Sequence, residues 1–223
     1  MPKAFLLCET NKFKKEDFLV PIQQSLFEEE GESVVSLNLN QDDFHLNFDQ
    51  YLCHHDYVHN TRGRVFNKDF NYYLEPLSFY AYLKADEELL FTQTKTDAAL
   101  DFISKLNNTK EFLLSPVSID FKKMIPLITE VAGAWIADLK RTHLKTAGYF
   151  GPNVHRSEEY KEAAAEGNVS SIQMYYTSIK SGNEHYVAIS KKGSIILYDT
   201  FPTIEEEIDM VYEIYSKFIK PHL

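Results

Sequence analysis

The sequence predicts an α+β protein with mixed or mainly antiparallel sheets and with helices packed on one face. Neighbouring strand-like segments are separated by only a few turn-forming residues, which is the spacing of hairpins rather than of parallel crossovers. The clearest run, over residues 172–198, precedes a helix with a capping signal. We therefore expect a C-terminal three-strand meander followed by an amphipathic helix.

The start of the chain predicts a strand, a helix and a second strand. Apolar runs place the strands over residues 4–8 and 34–39. The regular helix is expected to begin close to Pro21, because proline fits a first helical turn, and to end near Glu30 with Gly31 as its stop. One face of this helix is predicted to carry Phe18, Ile22 and Leu26.

The middle of the chain gives weaker patterns. Phe44, Leu46 and Phe48 alternate with polar residues and predict a half-buried strand, whereas residues 53–68 predict a polar loop. Strands over residues 79–83 and 89–91 flank a turn at 85–87. A helix over residues 97–106 follows, with Thr96 as the expected N-cap.

The second half gives clearer signals. It predicts a strand over residues 112–119, a short helix around Pro126, and a hairpin formed by residues 133–139 and 144–150. Ser157 is expected to cap a helix that ends at Gly167. The final helix, to about residue 219, is predicted from a capping box formed by Thr203 and Glu206.

We predict an acidic N-terminal α/β region, residues 1–110, and a C-terminal α+β region, residues 111–223. No segment has the composition of a flexible linker, so one continuous domain is the alternative. The formal net charge is −10. Residues 16–61 contain no lysine or arginine but ten acidic residues. Such a surface repels phosphate and attracts cations or basic proteins.

Composition also bounds the location of the protein. No apolar run approaches the roughly 20 residues of a membrane span, and the N-terminus lacks the features of a signal peptide. We therefore expect a cytoplasmic protein without a membrane partner. Two cysteines, Cys8 and Cys53, exclude a disulfide-rich scaffold.

One segment concentrates residues of the types that bind metals: Cys53, His54, His55, Asp56 and His59. On a helix, His55 and His59 would share a face, with Asp56 or Cys53 as a third ligand, and an open position would suit metal-activated water. The more ordinary interpretation is a polar surface loop.

Two clusters contain basic residues. Arg62, Arg64 and Lys68 lie among aromatic residues, as in single-strand nucleic-acid binding, but the acidic surroundings argue against nucleic acid as a direct ligand. Lys140, Arg141, His143 and Lys145 form a basic hairpin turn that is more simply a solvated loop.

The meander register suggests a partial catalytic triad. If residues 191–193 form the turn, then His185 faces Asp199, and a histidine oriented by a carboxylate could activate a cysteine. Cys8, just before the predicted N-terminal helix, is a candidate thiol, and whether Cys8 or Cys53 reaches His185 stays open; the alternatives are a buried structural cysteine and a plain cross-strand polar pair. Trp135, the only tryptophan, is predicted to lie in the core; an exposed tryptophan would instead indicate an interface anchor.

No phosphate-binding glycine loop and no nucleophile elbow occurs. Because every catalytic template is incomplete, whether the protein is an enzyme stays open, as does any cofactor. The leading hypothesis is a non-enzymatic acidic regulatory protein that binds the basic surface of a protein, such as a nucleic-acid-binding enzyme. Its predicted partner-binding residues are Glu28, Glu29, Glu30, Asp42 and Asp43. The alternative is a metal-dependent hydrolase or nuclease that uses the cluster from Cys53 to His59.

Overall fold

The computed structural model describes residues 2–20 and 34–223, which contain fourteen strands and four α-helices. The strands are β1 (Lys3–Lys12), β2 (Phe18–Leu19), β3 (Val35–His45), β4 (Phe48–His59), β5 (Gly63–Val65), β6 (Lys68–Phe70), β7 (Tyr73–Lys84), β8 (Leu89–Thr92), β9 (Leu113–Pro116), β10 (Val131–Ala137), β11 (Ala147–Phe150), β12 (Asn168–Thr177), β13 (Glu184–Ser190) and β14 (Ser194–Leu197). The helices are α1 (Thr96–Asn107), α2 (Phe121–Met124), α3 (Glu158–Glu166) and α4 (Ile204–Ile214).

Twelve of the strands in the described ranges belong to one large antiparallel sheet. Its order is β11-β10-β12-β13-β14-β1-β8-β7-β4-β3-β2, and β9 pairs with β1 outside this path. The remaining strands, β5 and β6, form a separate hairpin. The predicted α+β class, with a meander and then a C-terminal helix, is confirmed.

Internal contacts divide the chain into two compact units. Unit 1 contains residues Met1–Leu7 and Pro116–Leu223, and unit 2 contains residues Cys8–Ser115. The strand β1 therefore contributes residues to both units.

Unit 2 is organised around the antiparallel run of β3, β4, β7 and β8. Helix α1 covers one face of these strands, because its apolar residues recur at helical spacing and are buried. The ring of Phe102 on α1 lies 5.1 Å from that of Phe79 on β7 and 6.0 Å from the imidazole of His55 on β4. The core of unit 2 is therefore the layer between α1 and the sheet.

Unit 1 contains the meander β12–β13–β14, whose register pairs Val187 with Leu197 across the tight turn. Helix α4 begins where the Thr203 hydroxyl accepts a hydrogen bond from the Glu206 amide at 3.3 Å, as the capping signal predicts. A π-helical turn, Tyr215–Ile219, extends this helix. The Phe218 ring in that turn packs edge-on against Tyr176 of β12 at 5.7 Å.

Several local predictions are confirmed. The strand at residues 4–8 lies within β1, and the turn at 85–87 is a 3-10 turn between β7 and β8. The Ser157 hydroxyl accepts a hydrogen bond from the Tyr160 amide, so it caps α3 as predicted. The hairpin of β10 and β11 and the three strands of the meander also occur where the sequence places them.

Other local predictions are wrong. Residues 53–68 are not a loop, because β4 continues to His59 and the β5–β6 hairpin follows. Leu46 lies in the turn between β3 and β4, where Leu46 and Asn47 both have positive φ. Phe44 and Phe48 therefore lie on the two strands of a hairpin and not on one half-buried strand. Lys95, not Thr96, occupies the N-cap of α1. Phe18 lies in β2, and the rest of the predicted helix over residues 21–30 lies outside the described residues.

Candidate partner-binding surface

The residues predicted to bind a metal lie on a strand, and this geometry separates them. Successive side chains of β4 point to opposite faces of the sheet, so Cys53 and His55 lie opposite His54 and Asp56. His55 and His59 share a face, but four residues along a strand span about 13 Å at ~3.3 Å per residue. The helical i, i+4 arrangement behind the metal hypothesis is therefore absent from β4.

Each histidine of this segment has its own carboxylate partner. His55 Nε2 lies 3.0 Å from Asp101 Oδ2, His54 Nε2 lies 3.1 Å from Asp56 Oδ1, and His59 Nε2 lies 2.7 Å from Glu75 Oε2. Within residues 2–20 and 34–223, no three His, Cys, Asp or Glu side chains are grouped to hold a metal ion. The structure does not bring the predicted ligands together.

His55 lies in the buried interior of unit 2. Its side chain is fully buried, and its Nδ1 atom makes no hydrogen bond among the described residues. Burial and the nearby Lys105 ammonium lower the pKa of His55, and they outweigh the opposing effect of Asp101. The ring of His55 lies 6.0 Å from that of Phe102 in this buried position.

The predicted acidic residues fall into two groups. Glu28, Glu29 and Glu30 lie outside the described residues. Asp42 and Asp43 are exposed near the turn between β3 and β4.

The turn between β7 and β8 lies beside the turn between β3 and β4, because Lys84 Nζ donates a 2.6 Å hydrogen bond to the Leu46 carbonyl. We call this region the acidic end of unit 2. Its carboxylates are Asp42, Asp43, Asp49, Asp86, Glu87 and Glu88.

Carboxylates at the acidic end are close enough to perturb one another. A hydrogen bond with Asp49, together with its negative charge, raises the pKa of Asp42. Burial acts to raise the pKa of Asp49, but hydrogen bonds from the Asp43 amide and the Lys15 ammonium outweigh it and lower that pKa. Like charges are therefore crowded here, and an approaching cation would relieve their repulsion.

Two lysines moderate the acidic end without neutralising it. Lys84 is almost fully buried, and its ammonium lies 3.7 Å from Asp86 and 4.0 Å from Glu87. Lys15 pairs with Asp49 at 3.2 Å. Asp42, Asp43 and Glu88 form no ion pair with a lysine or arginine in the described part of the chain, so their charges face solvent.

The predicted contact between His185 and Asp199 is confirmed, with Nδ1 3.2 Å from Oδ2. The pair lies beside a cleft of about 430 Å³ in unit 1, where the His185 ring stacks on Phe201. His185 Nε2 forms no hydrogen bond with another described residue, and the cleft is also lined by the hydroxyl residues Ser178, Ser181 and Thr200.

The proposed activated thiol is contradicted. Cys8 and Cys53 are both fully buried. Burial raises the pKa of Cys8 to about 12 and also raises the pKa of Cys53, so both remain protonated thiols near neutral pH.

Trp135 is not a core residue, because its side chain is 41% exposed. It lies on the solvent face of β10, between the inward-facing Ala134 and Ile136. Gly148 of β11 lies directly opposite, and a Cβ at that position would meet the Trp135 ring at 3.1 Å. Ala134, Trp135 and Ile136 are all apolar, so the sequence contained no alternation of polarity that would have indicated this outward orientation.

Further aromatic residues share this face of unit 1. Tyr175 lies opposite Tyr186, and the Tyr186 ring is 5.2 Å from that of Tyr198. Gln173 links them, since its side-chain amide bonds both the Tyr186 and the Tyr198 hydroxyls. The aromatic face consists of Trp135, Phe150, Tyr175, Tyr186 and Tyr198. Of these five residues, Tyr186 is half-buried and the other four are exposed.

The two basic clusters are partly neutralised. Arg64 makes a two-pronged ion pair with Asp69 across the β5–β6 hairpin, and Arg141 makes one with Glu166. Phe66, at the tip of the β5–β6 hairpin, is 95% exposed.

Comparison with protein-family models and with curated proteins found no significant match. None of the helices in the described ranges combines the length and apolar character that crossing a membrane requires.

Proposed function

We propose that the protein is a cytoplasmic, non-enzymatic regulatory protein that binds a basic surface on a protein partner. The observation that carries this proposal is the crowding of solvent-facing carboxylates at the acidic end of unit 2. A lysine or arginine of a partner placed beside Asp42 would offset the repulsion between Asp42 and Asp49. Binding would therefore gain energy that an isolated surface carboxylate does not offer.

The distribution of charge supports the same proposal. Unit 2 contains 19 acidic and 10 basic residues, whereas unit 1 contains 14 acidic and 13 basic residues. An excess of one sign in one unit attracts an oppositely charged partner and orients it before contact. We expect the acidic end to speed association and to make it sensitive to salt.

The aromatic face of unit 1 supports a macromolecular partner rather than a simple cation. Tryptophan and tyrosine are the residues most enriched among energetically dominant interface contacts. The rings of Trp135 and Phe150 pack over Gly133 and Gly148 and contact each other with centroids 5.5 Å apart, and we expect this packing to restrict their motion before a partner binds. A surface fixed in this way loses less entropy on binding.

The first test measures binding of a short fluorescein-labelled oligolysine peptide by fluorescence anisotropy at low salt. The test variant removes three charges from the acidic end: Asp42→Asn, Asp43→Asn and Asp86→Asn. Exposed ion pairs contribute roughly 0.2–1 kcal/mol each. We therefore expect the affinity to fall by about tenfold, since 1.4 kcal/mol corresponds to that factor.

The matched control removes three exposed carboxylates from unit 1: Glu159→Gln, Glu162→Gln and Glu184→Gln. It carries the same net charge as the test variant, so a purely global effect would weaken binding equally in both. Equal loss in the two variants, or no loss in the first, would contradict the proposal.

A further inference from the structure

A groove in unit 1 has the properties of a ligand site. It lies between α2 with its 3-10 extension and α3, and its volume is about 790 Å³. Small-molecule sites in proteins usually enclose about 300–1,000 Å³. The groove is therefore large enough for an organic ligand.

The inner wall of the groove is apolar. Ile119, Phe121 and Tyr160 line it, and each is at least nine-tenths buried. Burial raises the pKa of Tyr160, so its ring and neutral hydroxyl add no charge to this wall. Ala164 and Val169 extend the same surface. An apolar group placed here would leave water on entering the groove.

The rim of the groove is basic. Lys122, Lys161 and Lys191 line it. Lys161 is already paired with Glu158 at 2.6 Å, but Lys122 and Lys191 have no carboxylate partner in the ranges that the structure describes.

Asp120 is the only carboxylate among the described residues that line the groove, and it is engaged elsewhere. It accepts a hydrogen bond from the Lys122 amide and lies 3.8 Å from the Lys123 ammonium. The rim therefore keeps a positive charge even though the whole chain carries −10.

We propose that this groove binds a small organic anion that has an apolar body. The apolar body would pack on Phe121 and Tyr160, and the acidic group would be neutralised by Lys122 and Lys191. Charge complementarity argues for an anion, and the buried aromatic wall argues against a bare inorganic ion. This site is independent of the acidic end of unit 2.

The test uses 1-anilinonaphthalene-8-sulfonate, an aromatic anion whose fluorescence increases in apolar surroundings. Its uncharged analogue, N-phenyl-1-naphthylamine, serves as the second probe. We expect the native protein to bind the sulfonate saturably. The variant Lys122→Met with Lys191→Met should lose about tenfold in affinity for the sulfonate, because two charged contacts are removed while the side-chain stems remain. Its affinity for the uncharged analogue should change little.

The control variant is Lys140→Met with Lys145→Met. These lysines are exposed residues of unit 1 and are not among the residues that line the groove. Equal thermal melting of the variants would establish that each is folded. Unchanged sulfonate binding in the Lys122 and Lys191 variant, or an equal loss in the control, would overturn the proposal. So would displacement of the sulfonate by inorganic phosphate as readily as by decanoate, because the apolar wall would then contribute nothing.

Discussion

Replacing Gly193 by alanine is expected to lower the free energy of unfolding by about 3–5 kcal/mol. Gly193 has φ +85° in the turn between β13 and β14, a conformation that costs other residues about 1–2 kcal/mol. An added Cβ would also lie 2.2 Å from the Val117 carbonyl oxygen, a backbone atom that has little freedom to move. That backbone is held by a 2.9 Å hydrogen bond from the Val117 amide to the Leu7 carbonyl.

Gly182→Ala is the matched control for this prediction. Gly182 also has positive φ, +71°, but nothing lies within 4 Å of an added Cβ. It should therefore show only the conformational cost, about 1–2 kcal/mol. Thermal melting would separate the two variants, because at this chain length 1 kcal/mol shifts Tm by roughly 2–4 °C. Equal destabilisation would show that the contact with Val117 is not tight.

Replacing Phe102 by alanine is expected to destabilise the protein by about 3–5 kcal/mol. Phe102 is fully buried, and its ring packs against Phe79 and His55. Its removal leaves a cavity between α1 and the sheet of unit 2, because backbone elements relax only partly around lost atoms. Urea unfolding would measure the change as a lower midpoint.

Two other substitutions calibrate this result. Phe102→Leu keeps most of the volume and should cost less than about 1.5 kcal/mol. Ser104→Ala changes an exposed residue of the same helix and should lie within about 0.5 kcal/mol of the native protein. If Phe102→Ala proved as mild as Ser104→Ala, α1 would not be packed on the sheet in the way described.

Local signals explain which parts of the fold could be predicted from the sequence. The turn at residues 191–193 sets the register of its hairpin, so the contact between His185 and Asp199 followed from counting residues. The caps of α3 and α4 were equally local, since Ser157 and Thr203 bond amides only three residues away.

The surroundings of β4 and the acidic end could not be predicted from the sequence, because contacts between separate segments of the chain form them. β4 pairs with β3 through a hairpin and with β7, which follows only after the β5–β6 hairpin, and its buried face includes the polar residue His55. The alternation of apolar and polar residues that is typical of a strand is therefore not visible in this segment. The metal hypothesis assumed helical spacing for residues that lie on a strand. The acidic end likewise joins Asp42 and Asp86 through a turn-to-turn contact made by Lys84.

Amide hydrogen exchange with and without the oligolysine peptide tests the proposed partner surface most directly, because it locates the bound peptide on the chain. We predict slower exchange at residues 40–49 and 85–88, which form the acidic end, with exchange at residues 158–166 unchanged. Bound peptide that leaves residues 40–49 and 85–88 unprotected would contradict the claim that a basic partner binds there.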